Sequence, residues 1–150
     1  MDWRWLLATS LLLSLWLVAI DPVINRDAIL YLRAAEAYLD QGLLASQALH
    51  GRPLLSICIA WLHQVTAIPL LYCGLLLNAA FYAVLVLAFV ATVAAMGGDR
   101  RTPLFAAALS LSHPILNEYG SSSMRDPAYW ALLTVSVREL ICYLRTPSLR

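Results

Sequence analysis

The sequence predicts an all-α, polytopic membrane protein, and three observations carry that prediction. Apolar residues make up 61% of the chain and charged residues only 13%, whereas soluble domains usually carry roughly a quarter charged residues. Mean hydropathy is +0.73, and a soluble fold of 150 residues needs a polar surface that so few polar residues cannot make. The charges that exist sit in short segments between long apolar runs of helical length. Lipid is the solvent this pattern implies.

The elements follow in chain order as a single membrane module over 1–150. Residues 5–22 read as the first span, with Asp2 and Arg4 before it. The small residues that a signal-peptide cleavage site requires are poorly supplied by Leu17-Val18-Ala19-Ile20, so the run reads as an uncleaved anchor. Residues 27–41 repeat apolar side chains at helical spacing (Ile29, Leu32, Ala35, Leu39). Asp27, Arg33, Glu36 and Asp40 interrupt them too often for a span. A helix lying flat at the membrane surface fits, and Gly42 supplies its stop. Residues 53–67 are apolar but shorter than the roughly 20 residues a bilayer core needs, so they read as a second flat helix. The further spans are 71–96, 103–120 and 127–145, the first two joined by the polar turn around Gly97-Gly98-Asp99.

Charge distribution sets the orientation. With 53–67 flat and the N-terminus in the cytoplasm, Arg4, Arg100, Arg101, Arg145 and Arg150 are cytoplasmic, and Arg26, Arg33, Arg52 and Arg125 are outside. With 53–67 spanning, only Arg4 and Arg125 remain inside. The positive-inside rule selects four spans, and this topology places the Asp27 and Arg125-Asp126 segments on one non-cytoplasmic face.

Composition excludes several classes of function. A net charge of +1 offers nothing to nucleic acid. Cys58, Cys73 and Cys142 lack metal-ligand spacing and fall in apolar stretches, where thiols pack as small hydrophobes. His50, His63 and His113 form no metal-ligand motif, and P-loop, GxGxxG and GxSxG patterns are missing from the sequence. A small transporter is disfavoured because the clear spans carry almost no ionisable residue near their middles.

Two motifs can carry chemistry. Asn25-Arg26-Asp27, with Tyr31 one turn later, puts a carboxylate at the start of a surface helix. Ionised, it can take a proton from a hydroxyl nucleophile; equally, Asp27 or Asn25 can cap the helix. In Ser121-Ser122-Ser123-Met124-Arg125-Asp126-Pro127, Asp126 suits a helix start, and Arg125 can pair with phosphate oxygens. Glu118, near the outer end of its span, is a carboxylate that wants a partner.

Taken in order, these parts resemble the amino-terminal part of the GT-C glycosyltransferases, nearest the bacterial aminoarabinose transferases and protein O-mannosyltransferases. The resemblance rests on Asn25-Arg26-Asp27-x-x-x-Tyr31, Gly51-Arg52-Pro53-Leu54-Leu55, Asn78-Ala79-Ala80 and Ser112-His113-Pro114, running on to Met124-Arg125-Asp126. It implies an inner-membrane enzyme using a polyprenyl-phosphate sugar as donor and a periplasmic acceptor. Asp27 and Asp126 would be its catalytic acidic positions, and Arg26, Tyr31, Arg52, Glu118 and Arg125 would serve substrate binding. No cofactor is specified, and a divalent metal stays open. Family members have about twice as many spans or more, so the resemblance also implies an incomplete enzyme, inactive alone or dependent on a second chain for the missing helices. The alternative is a non-enzymatic membrane subunit or scaffold in which both aspartates are helix caps.

Overall fold

The computed structural model describes residues 2–20, 24–97, 99 and 101–145. Every regular element among them is a helix: α1 (Trp3–Ile20), α2 (Arg26–Gln41), α3 (Leu43–Leu49), α4 (Leu54–Thr66), α5 (Leu70–Met96), α6 (Thr102–Ser112), α7 (Pro114–Gly120) and α8 (Asp126–Arg145). The all-α class is as expected. Two helices, α1 and α5, are long and apolar enough to cross a membrane.

The other two expected spans take a different form. Residues 103–120 are divided into α6 and α7 at His113-Pro114, because proline has no N–H to continue the helical ladder. Residues 127–145 do form one helix, α8, of 20 residues, but Arg138 and Glu139 lie within it and make it less apolar. The expected end of the first span at position 22, and Arg100 and Arg150 of the charge count, fall outside the described residues.

Helix α5 is the central element. Its apolar side chains run all the way round, so it can be buried on several sides at once, and α1, α4, α6 and α8 all pack on it. Leu6, Tyr82, Val86, Val90, Ala106 and Ala107 form one core between α1, α5 and α6. The contact face of α1 is small, with Ser10 and Ser14 fully buried one turn apart, which lets two helix backbones approach closely.

The directions of the helices follow from who meets whom along α5. Trp3 lies with Leu87 and Ala91 and Val18 with Leu71 and Leu75, so α1 runs antiparallel to α5. Pairing of Tyr82 with Ser110 and Asn117, then of Asn78 with Tyr119 and Ser122, makes α6–α7 antiparallel as well. Arg145 donates hydrogen bonds to the carbonyls of Ala95 and Met96, the latter at 2.5 Å, so α5 and α8 end together and run parallel. Residues 102–120 therefore traverse the bundle despite the break. Pro114 leaves the Ser110 carbonyl without its helical N–H, and the His113 N–H and the Tyr82 hydroxyl each lie 3.4 Å from it; the next carbonyl, Leu111, accepts Asn117 Nδ2 at 2.9 Å, and Asn117 Oδ1 accepts the Tyr82 hydroxyl at 2.7 Å.

Between α1 and α5, helices α2, α3 and α4 pack as a unit. Tyr31, Ala35, Leu55, Ile59, Ala60 and Cys73 form its core, which joins α2 and α4 to the start of α5. Gly42 ends α2 with φ +84, its N–H bonding the Tyr38 carbonyl at 3.0 Å; only glycine adopts that backbone without cost. The seven-residue α3 was not expected from periodicity.

Candidate functional site

At the end of the bundle where α5 and α8 begin, the α2–α4 unit and α8 enclose a cleft of about 600 Å³. Tyr31 enters it from α2, His50 and Arg52 from the α3–α4 connection, Leu55 and Cys58 from α4, and Phe81 from α5. Arg125, Asp126 and Tyr129 complete it from the start of α8. Four residues singled out in the sequence, Tyr31, Arg52, Arg125 and Asp126, thus share one cavity although they come from three separate segments.

The other three lie elsewhere. Arg26 and Asp27 line a shallow depression on the open face of α2, with Arg33. Glu118 is exposed on α7, and its backbone carbonyl accepts hydrogen bonds from the hydroxyls of Ser121 and Ser122 at 3.1 and 2.9 Å. Glu118 takes no part in lining the cleft.

Local structure decides between capping and an available carboxylate at both aspartates. Asn25 is the N-cap of α2, and its Oδ1 accepts the Asp27 backbone N–H at 3.0 Å. With that position filled, the exposed Asp27 carboxylate is not needed as a cap. Asp126 is already the first residue of α8, and among the described residues no hydrogen bond reaches its carboxylate. The segment carrying it is anchored by Asn78, the one strongly polar residue of α5. Asn78 is fully buried and its amide donates to the Ser122 carbonyl. Gly74, one turn earlier, lies so close to Ser123 that a Cβ would overlap the serine hydroxyl. A small residue and an amide on α5 therefore fix where Arg125 and Asp126 leave the loop.

The electrostatics of the site converge on Tyr31. Burial raises its phenol above the ordinary tyrosine range; Arg125 works in the opposite direction, and Asp27 and Asp126 add to the rise. Both aspartates and Arg125 are thus within electrostatic reach of one hydroxyl, even though only Asp126 and Arg125 line the cleft. Among the described residues neither arginine of the cleft forms an ion pair; the pair that does form is Arg138–Glu139, far along α8. Two guanidinium groups over a floor of Leu54, Leu55, Phe81 and Leu132 suit an amphiphile with an anionic head, since guanidinium binds phosphate oxygens in a fork.

The cleft also holds His50, Cys58, Phe81 and Tyr129, none of which the sequence marked as a site residue. The signal for Tyr129 was present, because it lies three residues after Asp126 and so shares its helix face. His50, two residues before Arg52, was visible as a neighbour of a chosen residue. Cys58 and Phe81 reach the cleft only through tertiary packing. Among the described residues no three His, Cys, Asp or Glu side chains converge as a metal-binding group. Comparison with models of known protein families, with curated proteins and with solved structures gave no match.

Proposed function

We propose that this chain is a membrane-embedded module of a GT-C-type glycosyltransferase, with the cleft receiving the phosphate of a polyprenyl-phosphate sugar. The observation that carries the reading is the combination of Arg52 and Arg125 with an apolar floor in one cavity, beside Asp126. In this reading α1, α5, the broken α6–α7 and α8 cross the bacterial inner membrane with the N-terminus in the cytoplasm. Helices α2 and α4 lie flat at the periplasmic face. Broad exposure of large apolar side chains, such as Trp5, Leu12, Trp16, Phe105 and Leu144, supports a lipid surround, because soluble monomers rarely expose extended apolar surface. Trp3, Met96 and Arg145 all belong to one end of the bundle, in agreement with a cytoplasmic side that collects Arg4, Arg101 and Arg145.

The reaction is an inverting displacement. The acceptor approaches from the open side of α2, where Asp27 takes the proton of its hydroxyl. The hydroxyl oxygen forms a bond to the anomeric carbon as that carbon's bond to the phosphate oxygen breaks. The polyprenyl phosphate leaves with the electron pair, and its growing charge is met by Arg52 and Arg125. Asp126, beside Arg125, orients the donor.

The test is Asp27→Asn in membranes that carry the complete transferase, following release of polyprenyl phosphate from the sugar donor. Transfer should fall at least about a hundredfold, the scale of a lost general base, with membrane insertion unchanged. Normal transfer would remove the catalytic reading and favour a non-enzymatic subunit instead.

A further inference from the structure

His50 has a property that no other residue of the cleft shares. It ends α3, its backbone N–H bonding the Ser46 carbonyl at 2.9 Å, and its ring stands edge-on to Tyr31 with centroids 5.1 Å apart and planes at 88°. Its Nε2 is buried and has no hydrogen-bond partner, although the ring borders the same cavity as Arg52, Arg125 and Asp126. Buried polar nitrogens are almost always paired, and an unpaired one calls for an explanation.

We infer that His50 Nε2 is a third donor for the anionic head of the cleft's ligand, acting with Arg52 and Arg125 on the oxygens of a phosphate ester. This inference rests on the reading of the cleft as a lipid-phosphate site. Arginine alone recognises phosphate in any setting where its long side chain can reach. The shorter imidazole, packed against Tyr31, reaches only a little way into the cavity, so it selects a phosphate seated at one depth, with its ester chain along Leu54, Leu55 and Leu132. Either the Nε2–H tautomer or the imidazolium can donate this bond. Tyr31 thus acquires a role as the residue that positions His50, separate from any contact of its own with substrate. The ligand class is a phosphate monoester or diester bearing an apolar chain. A lipid supplies both parts, and a free phosphate supplies only the head.

The test is equilibrium binding of three probes to the purified full chain in detergent: farnesyl phosphate, farnesol and inorganic phosphate. Wild type should bind farnesyl phosphate most tightly. His50→Phe keeps the ring packed on Tyr31 and removes the nitrogens, and it should weaken farnesyl phosphate about tenfold, equivalent to one hydrogen bond to a charged group, while leaving farnesol within about twofold. His50→Gln offers an amide N–H near the position of Nε2 and should recover most of the loss, an outcome that a purely structural role would not produce. If His50→Phe binds farnesyl phosphate as well as wild type, or if His50→Gln is no better than His50→Phe, the inference fails and the lipid-phosphate reading stands. If wild type binds farnesyl phosphate no better than farnesol, that reading fails and takes the inference with it. Tight inorganic phosphate binding with no gain from the farnesyl chain would also overturn both.

Discussion

The two ends of the bundle treat their charges in opposite ways. Where α5 and α8 terminate, several charged groups are engaged by the protein itself. Arg145 covers the last carbonyls of α5, Arg138 pairs with Glu139, and Asp99 accepts the Thr102 hydroxyl at 2.8 Å together with two backbone N–H groups. Those bonds hold the Asp99 carboxyl below its ordinary range. Where α5 and α8 begin, Arg52, Arg125 and Asp126 surround a cavity without an ion pair among the described residues. Other charges without an ion pair among the described residues, Arg26, Asp27 and Arg33, line a separate depression on the open face of α2. Charges spent on helix ends stabilise a fold; charges kept unpaired around an apolar floor are available to a ligand.

The contrast breaks most readily at the cleft. Arg52→Ala with Arg125→Ala removes both guanidinium groups, and each charge-assisted phosphate contact contributes roughly 1.5–3 kcal/mol. Farnesyl phosphate binding should therefore weaken by about a hundredfold or more, measured by calorimetry on the purified chain. Unchanged affinity would show that the two arginines sit idle and that the ends differ in appearance only. Next in size is Gly74→Ala. The new Cβ meets the Ser123 hydroxyl and Cβ, so the serine must turn and the loop that delivers Arg125 and Asp126 must give slightly, at a cost of about 1–3 kcal/mol. Thermal unfolding should fall and ligand affinity should fall with it. A loss of stability without loss of affinity would separate the loop from the site.

The opposite end supplies the control. Arg145→Ala gives up the bonds to Ala95 and Met96 carbonyls, a helix C-terminal contact worth under about 1 kcal/mol at an exposed position. It should lower the unfolding temperature slightly and leave farnesyl phosphate affinity within about twofold. An effect on binding comparable to that of Arg125→Ala would mean that the two ends are coupled.

How much of this was legible beforehand differs between fold and site. The helices were legible because apolar runs and their stops are local: Gly42 ends α2, and the apolar length of 71–96 matches α5 to within a residue. The break at His113-Pro114 was equally local, since proline removes a donor whatever surrounds it, yet the apolar character on both sides made one span of two helices. Helix α3 has too few residues to show a period. For the site, Arg125 and Asp126 were legible as a motif, but their company was not. What brings Arg52 and Tyr31 to them is the packing of α2 and α4 through Ala35, Ile59 and Cys73, and no spacing along the chain encodes that. The same packing leaves Asp27 on the outer face of α2, outside the cavity that holds Asp126.

The smallest expected effect is also the most direct probe of that arrangement. Tyr31 feels Arg125, Asp27 and Asp126 at once, so its phenol reports where each charge stands. Burial makes the phenolate costly, and the neutral form is favoured to a higher pH than in an ordinary tyrosine. A folded-state value above the unfolded one contributes stability below the ordinary tyrosine range, and that contribution is lost as pH rises through the raised value. Neutralising a carboxylate removes repulsion on the phenolate, so Asp126→Asn and Asp27→Asn should each bring the titration down. Arg125→Ala removes attraction and should move it further up. Carbon NMR of ring-labelled tyrosine, with Tyr31→Phe to assign the signal, reads all three shifts. Asp27 sits on the outer face of α2 and Asp126 in the cleft, so opposite responses of Tyr31 to the two asparagine variants would mean that the aspartates do not share one electrostatic field. Parallel downward shifts would tie the open face of α2 to the cleft, as an acceptor and a donor meeting at one hydroxyl require.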